Sequence, residues 1–221
     1  TPIVQATRSV CGPLIGLAVQ ADRVYDRKWG EDCIHFNDSV VNYLKTAGSV
    51  TVIVLSSPFG QFVSEGGRLL KRNELDGTYR IVDAGVAEAV EGLKRTADAI
   101  RAMGKQVVVV APPPASGFDI GRCTERIDRN LPTMGVAKGC MIDTTAYRKH
   151  MSSVLELMEA LPQHAGIEVI SFDPYLCEGS LCKTNMDGTF IYRDGGHFSH
   201  EGSVFMANKM SLVELIRRGA K

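Results

Sequence analysis

The chain has 221 residues, enough for one domain with a real core, and its apolar (44%) and charged (23%) fractions are those of an ordinary globular protein. Lys plus Arg equals Asp plus Glu, 25 each, so the formal net charge is zero. That balance, with no Lys/Arg run, argues against nucleic acid or an anionic membrane surface as partner, and no apolar stretch reaches the ~18 residues of a membrane span.

The amino-terminal Thr1-Pro2-Ile3-Val4 opens on an apolar run without an initiator Met or a signal segment, as if cut from something longer. Ile3 to Ala6 is expected as the first strand. Phe36, Val40, Val41 and Leu44 form a helical stripe, entered through Asn37-Asp38. Val50 to Leu55 is the second strand. Gly66-Gly67 and Leu75-Asp76-Gly77-Thr78 mark a loop and a small hairpin. Val86, Val90, Leu93, Ala97 and Ile100 form the next helix, with Gly104 in a C-cap position.

Gln106 to Ala111 is the third strand. Thr51 to Leu55 and Val107 to Val110 are β-branched and continuous, the pattern of parallel strands covered on both faces. A long loop follows, stiffened at its start by Pro112-Pro113-Pro114. Its Arg122, Arg126 and Arg129 read as a solvated face. Tyr147, Met151, Val154, Leu155, Met158 and Leu161 form a helix with Asp143 or Thr144 as N-cap and Pro162 as its stop. Ile167 to Phe172 is the fourth strand. The last helix is expected from Glu201 to Arg218, with Val204, Met210, Val213 and Ile216 inward and Gly219 beyond its end.

This alternation predicts one domain over residues 1–221: an α/β fold, a three-layer α/β/α sandwich around a parallel sheet. Working residues in such sheets lie on loops at the carboxyl ends of the strands. Those loops are Thr7 to Pro13, Ser56 to Phe62, Pro112 to Cys140 and Asp173 to Ser199.

The six cysteines are even in number and never spaced as CxxC, which fits disulfides better than a zinc site. The nearest-neighbour set, Cys11 with Cys33, Cys123 with Cys140 and Cys177 with Cys182, would staple three loops that the apolar pattern leaves irregular. Disulfides imply an oxidising compartment such as the periplasm.

The chemistry concentrates in Tyr192-Arg193-Asp194-Gly195-Gly196-His197-Phe198-Ser199. Asp194 stands three residues before His197 on a glycine-rich loop ahead of a helix. A carboxylate so placed can hold imidazole Nδ1–H and leave Nε2 to take a proton from a hydroxyl. His200 reads as a helix-start residue, and His35, His150 and His164 as surface or structural. No His-x-x-x-His, Cys/His ligand cluster, P-loop or dinucleotide glycine motif occurs, so no metal and no cofactor is expected.

The layout resembles the SGNH hydrolase superfamily, and more closely the SGNH domain fused behind the membrane part of bacterial acyltransferase family 3 proteins. The closing block carries the resemblance: Asp173-Pro174-Tyr175-Leu176-Cys177, then Cys182, then Ile191-Tyr192-Arg193-Asp194-Gly195-Gly196-His197-Phe198-Ser199-His200-Glu201-Gly202. Val4 to Leu14, Cys33 to Asp38 and Val52 to Phe59 are similar to earlier family segments in the same order. The resemblance implies a flavodoxin-like sheet and acyl transfer, usually O-acetylation, to a hydroxyl of a cell-envelope glycan such as lipopolysaccharide O-antigen. It makes Asp194 and His197 the acid and base of a Ser-His-Asp triad. It further implies a periplasmic domain of an inner-membrane protein, with the acyl donor supplied through the fused membrane domain.

The family's nucleophile is the Ser of a Gly-Asp-Ser block after the first strand, and no Gly-Asp-Ser occurs here. The first strand and that block are therefore expected before Thr1. Because the family's strand order is 2-1-3-4-5, the absent strand would be central. Ser9, Ser56, Ser57 and Ser39 of Asn37-Asp38-Ser39 are the stand-ins within the chain. Val10 and Gly12 compete for one oxyanion donor, and backbone N–H groups or Gln61 for the other. Two further readings remain: a non-catalytic glycan-binding or scaffold module of SGNH shape, and a secreted carbohydrate esterase.

Overall fold

A computed structural model describes residues 3–21, 23–133 and 138–220. The first strand is β1 (Leu17–Gln20), followed by helix α1 (Arg27–Thr46), strand β2 (Val52–Ser56), the single turn α2 (Gly60–Val63) and the hairpin β3 (Arg68–Arg72) and β4 (Tyr79–Asp83). Helix α3 (Val86–Arg101), strand β5 (Gln106–Val110), helix α4 (Ile120–Asp128), the short strand β6 (Ile142–Asp143), helices α5 (Thr144–His150) and α6 (Ser152–His164), and strand β7 (Glu168–Ile170) come next. The closing segment contains α7 (Asp173–Leu176), the two-residue strands β8 (Cys177–Glu178), β9 (Leu181–Cys182), β10 (Asn185–Met186) and β11 (Thr189–Phe190), then α8 (His200–Lys209) and α9 (Leu212–Gly219).

Strands β2, β5 and β7 form the parallel sheet, in that order, with Leu55 opposite Val109 and Val110 opposite Ile170. Side chains alternate across a strand, and β5 shows what each face meets. Val107 and Val109 pack into a core with Leu93, Ala97 and Ile100 of α3 and Leu157 and Leu161 of α6. Val108 and Val110 pack into a second core with Tyr147, Ile170, Met206 and Met210. Two cores on opposite faces of one strand make the three-layer α/β sandwich.

A second sheet, β1-β3-β4, is antiparallel. Leu17, Val19 and Leu69 join the α3/α6 core, while Ala18 and Leu70 face Cys33 and Ile34 of α1. Gly30 lets α1 close on this sheet, because a Cβ there would lie 2.9 Å from Leu70 Cδ2. The β3–β4 turn falls at Leu75 to Thr78, as expected.

Several boundaries differ from the sequence reading, each for a physical reason. Ile3 to Ala6 is not a strand: no described strand pairs with it, and Ile3 and Val4 are 87% and 62% exposed. Helix α1 begins at Arg27, where Asp26 accepts from Trp29 N, rather than at Asn37-Asp38. Asn37 is instead buried within α1, donating to the carbonyls of Gly12 and Leu14, and Asp38 pairs with Arg72. Asp143 caps α5, but the helix breaks at Met151, and α6 runs through Pro162 to His164. The last helix breaks at Ser211, whose φ is +50°. Val204 and Val213 face outward there, Met206 and Met210 inward. Gly219 ends α9 rather than following it.

All three expected disulfides are present. The long loop after β5 contains α4. Arg122, Arg126 and Arg129, on that helix and at its C-cap, are exposed as the solvated-face reading expects; Arg126 donates to the Pro132 carbonyl and Arg129 pairs with Glu125.

Strand β2 is open in two ways. Among the described residues it pairs only with β5. On the face shared with Val108, its register mate Val54 is 42% exposed although Val108 is fully buried. Helical cover on that face stops at β5.

Candidate active site

Residues 191–199 fold back on themselves as a miniature hairpin. Arg193 N donates to His197 O, and Ser199 N to Ile191 O, each at 2.9 Å. Tyr192 and Phe198 are the bridged pair between them. Period-two alternation then settles the orientation: Tyr192 and Phe198 turn into the core beneath β7, so Arg193 and His197 turn outward. The side chains of Arg193 and His197 are 64% and 61% exposed.

Asp194 sits at the tip. Its Oδ1 accepts from Gly196 N at 2.9 Å and from His197 N at 2.8 Å. The His197 Nδ1 lies 3.0 Å from Oδ1 and 2.9 Å from Oδ2. Arg193 Nε donates to Oδ2 at 3.3 Å. Partial desolvation works to raise the Asp194 carboxyl, but the two backbone N–H groups and the imidazole outweigh it and hold the group down at about 2. A depressed carboxyl contributes stability that is full above the unfolded value near 3.8 and is lost as pH falls through about 2. An ionised carboxylate can only accept, so the nitrogen facing Asp194, Nδ1, carries a proton, and Nε2 has no hydrogen-bond partner among the described residues.

That is the arrangement the acid and base of a triad would take. Among the described residues the His197 ring bonds only Asp194, and no serine hydroxyl reaches Nε2. Three of the four stand-ins are engaged elsewhere. Ser56 Oγ donates to Val110 O, Ser57 Oγ accepts from Phe59 N, and Ser39 Oγ donates to His35 O inside α1. Ser9 is exposed on the loop ahead of Cys11. His200 opens α8 behind the Ser199 cap, whose Oγ accepts from Gly202 N at 2.8 Å. His35, His150 and His164 lie exposed on or at the ends of α1, α5 and α6. Of the oxyanion candidates, Val10 holds a φ of +62°, a strained conformation for a β-branched residue. Two residues on, the Gly12 carbonyl is pinned by Asn37, and Gln61 is exposed on α2.

The loop's supports were not visible as site residues in the sequence. Gly121 of α4 packs so closely that a Cβ there would overlap the Arg193 carbonyl, and a Cβ on Gly195 would lie 3.0 Å from Phe118 O. The Cys123–Cys140 disulfide staples α4 behind this contact. Thr184 Oγ1 donates to Cys140 O, and Ile191 N, at the start of the hairpin, donates to Thr184 O.

The chain is an α/β sandwich with a carboxylate-oriented imidazole on the loop between the last parallel strand and the closing helices. A family model described as the SGNH domain fused to AT3 domains matches residues 1–211, and the chain belongs to that family. Among solved structures, the periplasmic domain of the Salmonella ser. Paratyphi A lipopolysaccharide acetyltransferase is similar, with a TM-score of 0.56 and 18% identity. The match covers 83% of this chain and 63% of that one, so the chain spans less than two thirds of the neighbour's length. At that identity the likeness concerns the fold. No curated protein matches the chain.

Proposed function

We propose that this domain carries the base and acid of a Ser-His-Asp acyltransferase that places an acyl group, an acetyl, on a hydroxyl of a cell-envelope glycan. Asp194 orients His197, and His197 Nε2 deprotonates a serine that follows a strand outside these 221 residues. The serine attacks the donor's acyl carbonyl, and His197 passes the serine proton to the donor group that departs; a sugar hydroxyl, deprotonated by the now neutral His197, then attacks the acyl-enzyme, and that proton returns to the serine oxygen as it leaves. The observation that carries this reading is the Asp194–His197 pair, with Nε2 unpartnered among the described residues, on the loop between the last parallel strand and the closing helices.

The open side of β2 supports it. A further parallel strand could complete the backbone pairing along Val52 to Ser56, and the helix after it could cover Val54. Membership of a family fused to AT3 domains supports an envelope location and delivery of the acyl group from the membrane side, and the likeness in fold to a lipopolysaccharide acetyltransferase periplasmic domain supports a lipopolysaccharide or related glycan as acceptor. Three disulfides accord with a periplasmic setting.

The lack of a serine beside His197 in the described residues favours one competing reading, a glycan-binding module that keeps the shape without the chemistry. The two separate on one substitution. In the full-length protein, His197→Ala should abolish O-acetylation of the envelope glycan, read by mass spectrometry, while the variant still folds and reaches the envelope. Wild-type acetylation by that variant would leave the binding module standing and remove the enzyme.

A further inference from the structure

We propose that Phe198, clamped between Phe172 and Tyr192, is a positioning residue that sets where the His197 ring stands, and that the Tyr192 hydroxyl locks the clamp to the loop after β5. The proposal rests on the reading of His197 as the catalytic base.

The Phe198 ring meets Phe172 edge-on, with centroids 4.9 Å apart and planes at 85°, and Tyr192 similarly at 5.2 Å and 74°. Such edge-to-face contacts are directional, so they fix a ring's angle as well as its depth. Tyr192 is 2% exposed, and its hydroxyl donates to the buried Pro114 carbonyl at 2.9 Å. Burial drives the Tyr192 hydroxyl well above its ordinary pKa, with the Tyr147 and Asp173 charges adding to the shift, so it remains a donor at any working pH. Phe172 is held in turn, because the adjoining Asp173 carboxylate accepts from Tyr147 OH at 3.0 Å on both oxygens.

His197 has no such anchor. Its side chain is 61% exposed, and its only hydrogen-bonding partner among the described residues is Asp194, on the same hairpin. The Asp194–His197 pair can therefore keep its own geometry while moving as a unit relative to the sheet. What ties that unit to the sheet on its inner side is the ring one residue along. A displacement of about 1 Å at a reacting group can cost on the order of 100-fold in rate.

The test compares Phe198→Ala, Phe198→Leu and Tyr192→Phe with the parent and with His197→Ala, all in the full-length protein. The probe is p-nitrophenyl acetate hydrolysis, with thermal unfolding and the downfield NMR signal of the His197 Nδ1 proton measured alongside. Phe198→Ala should lower kcat about 100-fold with KM changed less than about threefold. The Nδ1 signal should persist, because the Asp194 bond survives. Phe198→Leu should recover much of the loss, and Tyr192→Phe should lose up to about tenfold through the missing hydrogen bond. Parent kcat in Phe198→Ala and Tyr192→Phe, with His197→Ala inactive, would overturn the clamp and leave the base assignment intact. Parent activity in His197→Ala would overturn both. If Phe198→Ala does not fold, the other two variants decide, and parent kcat in both overturns the clamp.

Discussion

Asp194→Asn in the full-length protein is expected to lower kcat for acyl transfer by about 10⁴-fold with little change in folding. The asymmetry follows from what the side chain does. Its Oδ1 accepts the backbone N–H groups of Gly196 and His197, and a carboxamide oxygen can keep both bonds, so the hairpin tip survives. A carboxamide can also turn its NH₂ toward Nδ1, which forces the proton to Nε2 and leaves no lone pair for a hydroxyl. It further removes the negative charge that would stabilise an imidazolium. Steady-state kinetics and a urea unfolding curve on the same preparation check both halves. A loss of activity smaller than tenfold would mean that Asp194 is a turn residue and no more.

The second large effect is steric. Gly121→Ala should cost about 1–3 kcal/mol of stability and on the order of 100-fold in kcat. The added methyl would overlap the Arg193 carbonyl and come within 2.9 Å of Asp194 N. Both sides of this contact are backbone, so neither can step aside as a flexible side chain would. The helix is also stapled through Cys123 to Cys140, which leaves the Asp194–His197 hairpin to absorb the displacement. Gly48→Ala is the control, since nothing lies within 4 Å of a Cβ there. A Gly121→Ala protein with the parent's urea midpoint and kcat would show that α4 does not support the site.

Features with a local signature were legible in the sequence. Val107 to Val110 announced a strand buried on both faces, and its two faces do meet separate cores. The nearest-neighbour cysteine pairs closed as expected, because each joins segments already close along the chain. Asp194 and His197 were legible because a short turn brings them together without help from the rest of the fold.

What failed depended on partners. Ile3 to Ala6 has the composition of a strand, but a strand exists only with a neighbour, and none of the described strands pairs with it. Gly12, Pro13 and Gly16 break up the apolar run ahead of Leu17 to Gln20, so the pattern hides a strand that β3 recruits. The first turns of α1 carry mostly charged residues and only Trp29, Cys33 and Ile34 as an apolar stripe, which places the visible start of the helix too late. The aromatic pair Tyr192 and Phe198 did carry a usable signal, since residues placed symmetrically about Asp194-Gly195-Gly196 are what a tight hairpin turns to one face. The contact of Gly121 with Arg193 had none, because it joins segments far apart in the chain.

If the His197 imidazole activates a serine contributed by chain outside these residues, a serine-directed sulfonyl fluoride should find that serine in the full-length protein. Peptide mass spectrometry of the adduct should show one modified serine, in a Gly-Asp-Ser setting outside these 221 residues, and no labelling in His197→Ala. An adduct that forms equally well without His197, or one confined to a serine among the 221, would contradict that role for the imidazole.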